Sequence, residues 1–574
     1  MNHIQKIKTR TALIGIILFA LILCITLYSR QIVKGEIYAI KADKQYARPG
    51  AQVFDRGSIY FKSKDGTKIA AATIERGYVA FVNPKLINDA EEVFNVVSQF
   101  LKIDNATFLK IASKKDDPYE EIAHRLDQST MQSLLSLSMP SVGVTSEAWR
   151  SYPGGVLSAH LLGLTGQNKD SSLIEGKYGL ERSYQDILDR SRESNSSIEI
   201  FAQLFVDVRD SLIGEKEVVG DIVTTIEPTV EAYLEKTLSE TNAIWHPDEI
   251  GGIIIDPKTG DIIAMASLPT FNPNDTSLIN NASIFSNPLV EHVYEMGSIM
   301  KPLTIAMGLD SGAIGLDFTY DDPGCITLDT KKICNSDKLP RNRVDIQTVL
   351  DHSLNVGAAT IAIKTGSEKV INYFSDRYNF GRKTGIDLPN EATNLLGNMK
   401  RGRDIEIATA AYGQGIAVSP IAMTRALSIL ANDGYGIVPH VVSEVIYSDG
   451  TREDMKVEQV KIRSLNKITV DEVTKILVSI VDKTLKGGAI KMPNHSIAAK
   501  TGTAQIPDPK NGGYYTDRYL HSFFGYFPAY NPKFLIFIYQ VHPKGAQYAS
   551  ETLTDPFANM TKFLINYYNV PPDR

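Results

Sequence analysis

At 574 residues the chain is long enough for two or three domains, each with its own core. Hydrophobic residues at 43% and charged residues at 22% are ordinary for a globular protein, and three cysteines are too few for a disulfide scaffold. A formal net charge of −6, with no Lys/Arg-rich tract against it, argues against a nucleic-acid partner.

Residues 12–28 read ALIGIILFALILCITLY. With Thr11 and Ser29 the run reaches the roughly 17–25 residues that cross a bilayer as a helix. Lys6, Lys8 and Arg10 precede it, so the positive-inside rule expects residues 1–10 in the cytoplasm and 11–29 as a transmembrane signal-anchor. A cleaved signal peptide has a similar apolar core, but no small-x-small cleavage signal follows; the next residues are Ser29-Arg-Gln-Ile-Val33. The expectation is a single-pass protein of the cytoplasmic (inner) membrane, with the rest of the chain outside the cytoplasm. Cys24 then lies in the span. Cys325 and Cys334 face an oxidising compartment, nine positions apart across an expected hairpin, where a disulfide and two independent thiols fit equally. No His stands near either at ligand spacing, so no metal is expected.

From about 35 to 220, short strand-like runs mix with helical segments and carry no cluster of catalytic residue types; 167–172 and 189–197 are polar and read as loops or crossovers. Near 220 the pattern changes. Gly220–Ile226 reads as a strand leading into Glu227-Pro228, after which Val230, Tyr233, Leu234 and Leu238 recur at helical spacing behind an N-terminal proline. Gly251–Asp256 and Asp261–Ser267 are two apolar runs joined by Pro257-Lys-Thr-Gly260, a β-hairpin signature. Ser496–Gln505 reads as a strand of small residues open to close approach, and His521–Phe527 and Phe534–Val541 as further strands of its sheet. Phe557, Met560, Phe563 and Leu564 mark one face of a final helix. The fold class is α/β (α+β), with an antiparallel sheet flanked by helices over 221–574 and a separate domain over 35–220.

Three short motifs stand in order in the second region: Ser298-Ile-Met-Lys301, Ser353-Leu-Asn355 and Lys500-Thr501-Gly502. Such a triplet marks serine acyl-transfer sites. None suffices alone, since a chain of this length shows about two Ser-x-x-Lys matches by chance, and a second stands at Ser464–Lys467. That copy lies in a charged stretch with Lys461, Arg463 and Asp471 that opens a helix. Other Lys-Thr-Gly copies are explained by the hairpin turn at 258–260, a helix stop at Gly366, and a Gly/Arg-rich loop at 383–385.

Ser298 precedes a helical pattern through Leu303, Ile305, Ala306 and Leu309, near a helix N-terminus that favours developing negative charge. Lys301 is about one turn on and shares its face. A lysine serves as the serine's base when burial and neighbouring charge lower its pKa; the blander alternative is an N-cap serine before a surface lysine. Ser353 and Asn355 offer a proton relay and an amide donor, or simply another helix start. Lys500 supplies a cation for a carboxylate and Thr501 a hydroxyl, while the backbone N–H groups of Thr503 and Ser298 offer an oxyanion site.

The chain at this point closely resembles the class B penicillin-binding proteins, monofunctional peptidoglycan D,D-transpeptidases, over nearly its whole length. Besides the three motifs, the resemblance rests on Arg56-Gly-Ser-Ile59, Arg150-Ser-Tyr152-Pro153 with Ala159-His160, and Gly179-Leu-Glu181. It continues through Pro257–Gly260 with Ala264–Ser267, and Gly413-Gln-Gly415 with Ser419-Pro420. It implies an N-terminal pedestal domain (penicillin-binding protein dimerisation type) before a transpeptidase domain of the β-lactam-recognising serine enzyme fold. It implies that Ser298 attacks the D-Ala-D-Ala end of a stem peptide, with Lys301 as base, Ser353 as relay and Asn355 on the substrate amide. Lys500, Thr501, Gly502 and Thr503 would form the carboxylate and oxyanion strand, and β-lactams would acylate Ser298. No cofactor is implied. The family commonly has Pro where Met296 stands, which leads us to expect altered acylation kinetics at most. No glycosyltransferase-like segment precedes the pedestal, so a membrane glycosyltransferase of the shape/division family and other divisome proteins are expected partners.

The same motifs serve a D,D-carboxypeptidase or a β-lactamase, which the length, anchor and pedestal disfavour. A non-catalytic scaffold of the cell-wall machinery would not need the intact triplet. Asn355, where many elongation enzymes carry Asp, and the compact length lean toward the division type.

Overall fold

The fold is that of a computed structural model, which describes residues 55–167, 174–190, 219–275, 277, 281–455, 460 and 462–574, together with residue 19. Residues 1–10, the apolar run 11–29 apart from Phe19, and most of the polar stretches at 167–172 and 189–197 lie outside these. Among the described residues no helix is long and apolar enough to cross a membrane.

The described chain begins with β1 (Ile59–Lys62) and β2 (Lys68–Val82), an antiparallel pair in which Phe61 faces Ile69. Two compact units follow from the contacts. Among the described residues one comprises Glu75–Trp149 with Phe19 and Asp55; the other takes in Arg56–Ile74, Arg150–Arg190 and the chain from residue 219 onward.

In the first unit the later part of β2 pairs with β3 (Glu120–Leu126). The helices α1 (Ala90–Val97), α2 (Asn105–Ala112) and α3 (Gln128–Ser136) supply its small core, which includes Val93, Val97, Phe108 and Leu134. Each helix opens on an aspartate, Asp89, Asp104 or Asp127, whose carboxylate accepts N–H groups of the first turn. These are the donors a helix leaves unpaired at its start.

The second unit joins segments far apart in sequence. Here β1 runs parallel to β4 (Gly220–Thr224), which pairs antiparallel with the strand Val442–Tyr447. Arg56 and Arg150 both meet Glu181, Nε to carboxylate at 2.5 and 2.6 Å, and the Tyr152 hydroxyl adds a bond at 3.2 Å. Three of the short motifs of the first 190 residues thus form one buried cluster. Burial alone would raise the Glu181 carboxyl, but the two guanidinium groups prevail and hold it below the usual range.

After β4 comes α4 (Pro228–Trp245), with Pro228 at its first turn and Val230, Leu234 and Leu238 fully buried. Then β5 (Glu249–Ile255) and β6 (Ile262–Leu268) form the expected hairpin. They close a five-stranded antiparallel sheet with β7 (Ala498–Pro507), β8 (Tyr514–Phe527) and β9 (Phe534–Val541), in the order β7-β8-β9-β5-β6. The central β9, FLIFIYQV, is buried over Phe534–Gln540, so it reads as a continuous apolar run rather than an alternating one.

Helix α4 and the final helix, Thr554–Tyr567, cover one face of this sheet, where Phe523 stacks on Phe557 at 4.4 Å between centroids and Tyr233 on Phe563 at 3.9 Å. A larger helical layer covers the other face. Because side chains alternate along a strand, the register Lys500↔Phe524 and Gly502↔Ser522 turns those four toward the second layer. Thr501↔Phe523 and Thr503↔His521 turn toward the first.

Candidate active site

Ser298 lies one turn ahead of a helix, in the 3-10 turn Gly297–Met300, and the α-helix Lys301–Asp310 follows directly. That helix is buried from Lys301 to Gly308, all round rather than on one face, so Lys301 has no exposed surface while Ser298 keeps some. The turn is seated against the edge strand β7. Met296 just before it is buried, and its carbonyl accepts a bond from Ser522 Oγ at 2.8 Å. Its φ of −85° lies near the value proline would impose. Packing and the Ser522 bond hold the turn here without a proline ring.

Two glycines permit this close fit. Gly297 has φ +65°, and a Cβ there would stand 2.7 Å from the Thr503 carbonyl oxygen. A Cβ on Gly502 would stand 2.4 Å from Ser522 Oγ and 2.9 Å from both the Ile299 nitrogen and the Met296 oxygen.

The two lysines converge on one serine. Lys301 Nζ lies 2.9 Å from Ser298 Oγ and 3.1 Å from Ser353 Oγ, and it donates to the Ser353 carbonyl. Lys500 Nζ donates to the same Ser353 Oγ at 3.2 Å and to the Thr501 carbonyl at 3.0 Å. Ser353 sits at φ +53° in the short link between the helices Ile346–Asp351 and Asn355–Thr365, which aims both its oxygens at the lysines. Burial, reinforced by the Lys500 charge, holds Lys301 well below the usual lysine range. Burial also brings Lys500 down to about 8, against an opposing pull from Asp351. An uncharged Lys301 has two N–H groups for Ser353 and one lone pair for the Ser298 hydroxyl. Such an arrangement is able to take a proton from serine.

Asn355 opens the second of those helices, and its Nδ2 donates to the Cys334 carbonyl at 2.9 Å. The helix-start reading of Ser353–Asn355 therefore holds, and the Asn355 amide is engaged with the hairpin that carries Cys334. Cys325 and Cys334 face each other in a hairpin, Cys325–Leu328 against Lys331–Cys334, and are joined by a disulfide. Thr501, Gly502 and Thr503 follow Lys500 along β7. The Thr503 hydroxyl accepts the Ala549 N–H at 3.1 Å on the far face, so what Thr503 turns to the site is backbone.

The competing copies of the motifs have different surroundings. Lys467 is 49% exposed, lies 2.7 Å from Asp471 and 3.3 Å from Asp433, and is pushed above the usual lysine range. It stays charged and gives Ser464 no base. Lys258 lies in the turn between β5 and β6. Gly366 ends the helix Asn355–Thr365 at φ +86°, and 383–385 is loop.

Two residues of the site escape motif reading. Ser522 pins the nucleophile turn, and only the strand register across from Gly502 reveals it. Glu295 accepts from the Gly415 N–H at 3.0 Å and the Tyr514 hydroxyl at 3.2 Å, tying the Gly413-Gln-Gly415 loop to the turn. Burial raises its carboxyl to about 7. A cavity of about 800 Å³ opens beside it, between Leu395, Gly415 and Ile506, but Ser298, Lys301 and Ser353 do not line it. Among the described residues no group of three or more His, Cys, Asp or Glu is placed to hold a metal.

A partly exposed serine touching a buried lysine held well below its usual range, beside an edge strand bearing a second lysine, is the apparatus of a serine acyltransferase. Residues 250–561, more than half of the chain, match the penicillin binding protein transpeptidase domain, and the chain belongs to that family. Residues 53–202 match the penicillin-binding protein dimerisation domain. Stage V sporulation protein D of Bacillus subtilis is 27% identical over 573 residues, covering 96% of this chain and 85% of that protein. Peptidoglycan D,D-transpeptidase FtsI of Buchnera aphidicola is 25% identical over 567 residues, 97% of this chain and 94% of that one. The crystal structure of penicillin binding protein 2X from Streptococcus thermophilus has the same fold, with a TM-score of 0.70 at 20% identity over 89% of this chain and 79% of that one.

Proposed function

We propose that the chain is a class B peptidoglycan D,D-transpeptidase of septal wall synthesis, working through an acyl-enzyme on Ser298. The observation that carries this is the Lys301 contact with Ser298, by a lysine that burial and the Lys500 charge hold well below the usual lysine range. Ser298 Oγ attacks the carbonyl carbon between the two D-alanines while its proton passes to Lys301. The tetrahedral adduct collapses as the proton moves through Ser353 to the leaving nitrogen, D-Ala departs and an ester remains. An amine of a neighbouring stem peptide then attacks the ester, its proton returns by the same route, and a new amide forms as Ser298 is freed. Lys500 and Thr501 hold the terminal carboxylate, Asn355 the substrate amide, and the Ser298 and Thr503 N–H groups, beside Gly502, the developing oxyanion. β-Lactams enter as substrate mimics and stop at the ester.

In this reading residues 11–29 anchor the chain in the cytoplasmic membrane, with 1–10 inside and the domains at 35–220 and 221–574 outside. A membrane glycosyltransferase and other division proteins are its partners. The relatives named as a sporulation protein and as FtsI support a wall-synthesis role. The test is labelling of the full chain with a fluorescent penicillin, alongside Ser298→Ala and Ser464→Ala. We expect labelling to vanish in Ser298→Ala alone. Labelling that survives there refutes the nucleophile, and a folded wild-type chain that takes no label refutes the enzyme.

A further inference from the structure

The helix Asn355–Thr365 begins without a cap of its own. Leu354 at the cap position offers no side-chain acceptor, and Asn355 has turned its amide to the Cys334 carbonyl. The missing acceptor comes from upstream in the chain. Asn335 Oδ1 accepts the Val356 N–H at 3.0 Å, one of the donors a helix start leaves over. Asn335 is only 2% exposed, and its remaining polar groups are engaged. Its Nδ2 donates to both carboxylate oxygens of Asp322, at 3.1 and 2.8 Å. Its backbone N–H donates to the Gly324 carbonyl at 2.9 Å, and its carbonyl accepts from Lys338 at 3.1 Å.

Asp322 is itself 1% exposed. It accepts the Gly324 N–H at 3.1 Å and lies 3.6 Å from an Arg341 nitrogen. The Cys325–Cys334 disulfide closes the same loop, so the carbonyl beneath Asn355 and the cap beneath Val356 come from adjacent residues of one braced hairpin.

We infer that Asn335, braced by Asp322, is a positioning residue for the reaction. By capping the helix from outside it sets Ser353 against the two lysines and Asn355 against the substrate. The inference rests on the acyl-transfer reading of Ser298. Neither residue touches Ser298, Lys301 or Lys500, so the effect reaches them through the helix start. Small displacements of such groups cost up to about 100-fold in rate.

The experiment measures acylation of the full chain by a fluorescent penicillin over a range of concentrations, separating the limiting rate from the apparent affinity. Three chains are compared: wild type, Asn335→Ala, and the exchanged pair Asp322→Asn with Asn335→Asp. The exchange keeps an acceptor for Val356 and a donor–acceptor pair between the two positions. We expect Asn335→Ala to lower the limiting rate about tenfold or more and to lower the melting temperature, since it strands the buried Asp322 carboxylate, and we expect the exchange to recover most of both. A wild-type rate in Asn335→Ala overturns the inference. So does an exchanged pair that melts like wild type but acylates no faster than Asn335→Ala, a comparison that stands even if Asn335→Ala itself is poorly folded. A Ser298→Ala chain that still labels identifies failure of the underlying site instead, whatever the Asn335 comparison gives.

Discussion

Lys301 and Lys500 have the same side chain, and their settings suit them to the opposite tasks proposed for them. Lys301 has no exposed surface, and beside it stands Lys500, whose charge makes a second ammonium unfavourable. Lys500 keeps its proton up to about pH 8, with Asp351 favouring the charge. In the proposed mechanism one lysine is the base at neutral pH and the other the cation. Acylation by a carboxylate-bearing β-lactam should therefore fall as pH rises through about 8, where Lys500 loses the charge that binds the carboxylate. Arginine stays charged throughout this range, so Lys500→Arg should remove the alkaline fall even if its overall rate is lower. Stopped-flow acylation rates from pH 6 to 10 decide this, and an alkaline limb that persists unchanged in Lys500→Arg refutes the assignment. The motif spacing pointed to Ser298 and Lys301 as partners, but at Ser464 and Lys467 the same spacing surrounds a lysine paired with carboxylates. Burial separates the two copies, and burial is not written in four residues.

At the scale of elements, the site is a seam between the edge strand β7 and the nucleophile turn. The strand was legible from its small residues, and its neighbours β8 and β9 from their apolar runs. The seam itself was not, because it depends on which face each residue takes once the register is set. Gly502 is the tightest point. Gly502→Ala puts a methyl group 2.4 Å from Ser522 Oγ and within 2.9 Å of the turn's backbone. Since the Met296 carbonyl and the Ile299 nitrogen cannot swing aside as a side chain can, the strand or the turn must shift. We expect acylation to slow by about 10- to 100-fold with the secondary structure retained, as measured by penicillin labelling and circular dichroism. Labelling at the wild-type rate would show that the seam does not hold the geometry.

For the whole molecule, the second compact unit depends on contacts between residues far apart in sequence, up to 503 positions for Lys64 and Tyr567. The Arg56–Glu181–Arg150 cluster is the clearest case, with side chains almost wholly removed from water. An ion cluster of this kind adds little net stability compared with apolar packing, but losing one member strands the others. Glu181→Gln would leave two buried guanidinium groups without an anion, and we expect it to destabilise this unit by about 3–5 kcal/mol. Urea unfolding followed by tryptophan and tyrosine fluorescence measures this, and a loss below about 1 kcal/mol would mean that water reaches the cluster. Each of the three segments was visible as a motif, but nothing in any of them named the others.

What the sequence determined by itself was local: the helix of Val230, Leu234 and Leu238, the hairpin around Pro257–Gly260, the strands of the second region, and the three ordered motifs. These follow from periodicity, turn chemistry and residue type, which act over a few positions. What only the tertiary structure decided was how distant groups meet. It chose the Cys325–Cys334 disulfide over two thiols, placed Ser353 between two lysines, and seated a buried Met296 against Ser522. It also brought an asparagine from a separate hairpin to cap the helix that carries Asn355. Each is a matter of burial and register, which arise only when the sheet and its two helical layers close on one another.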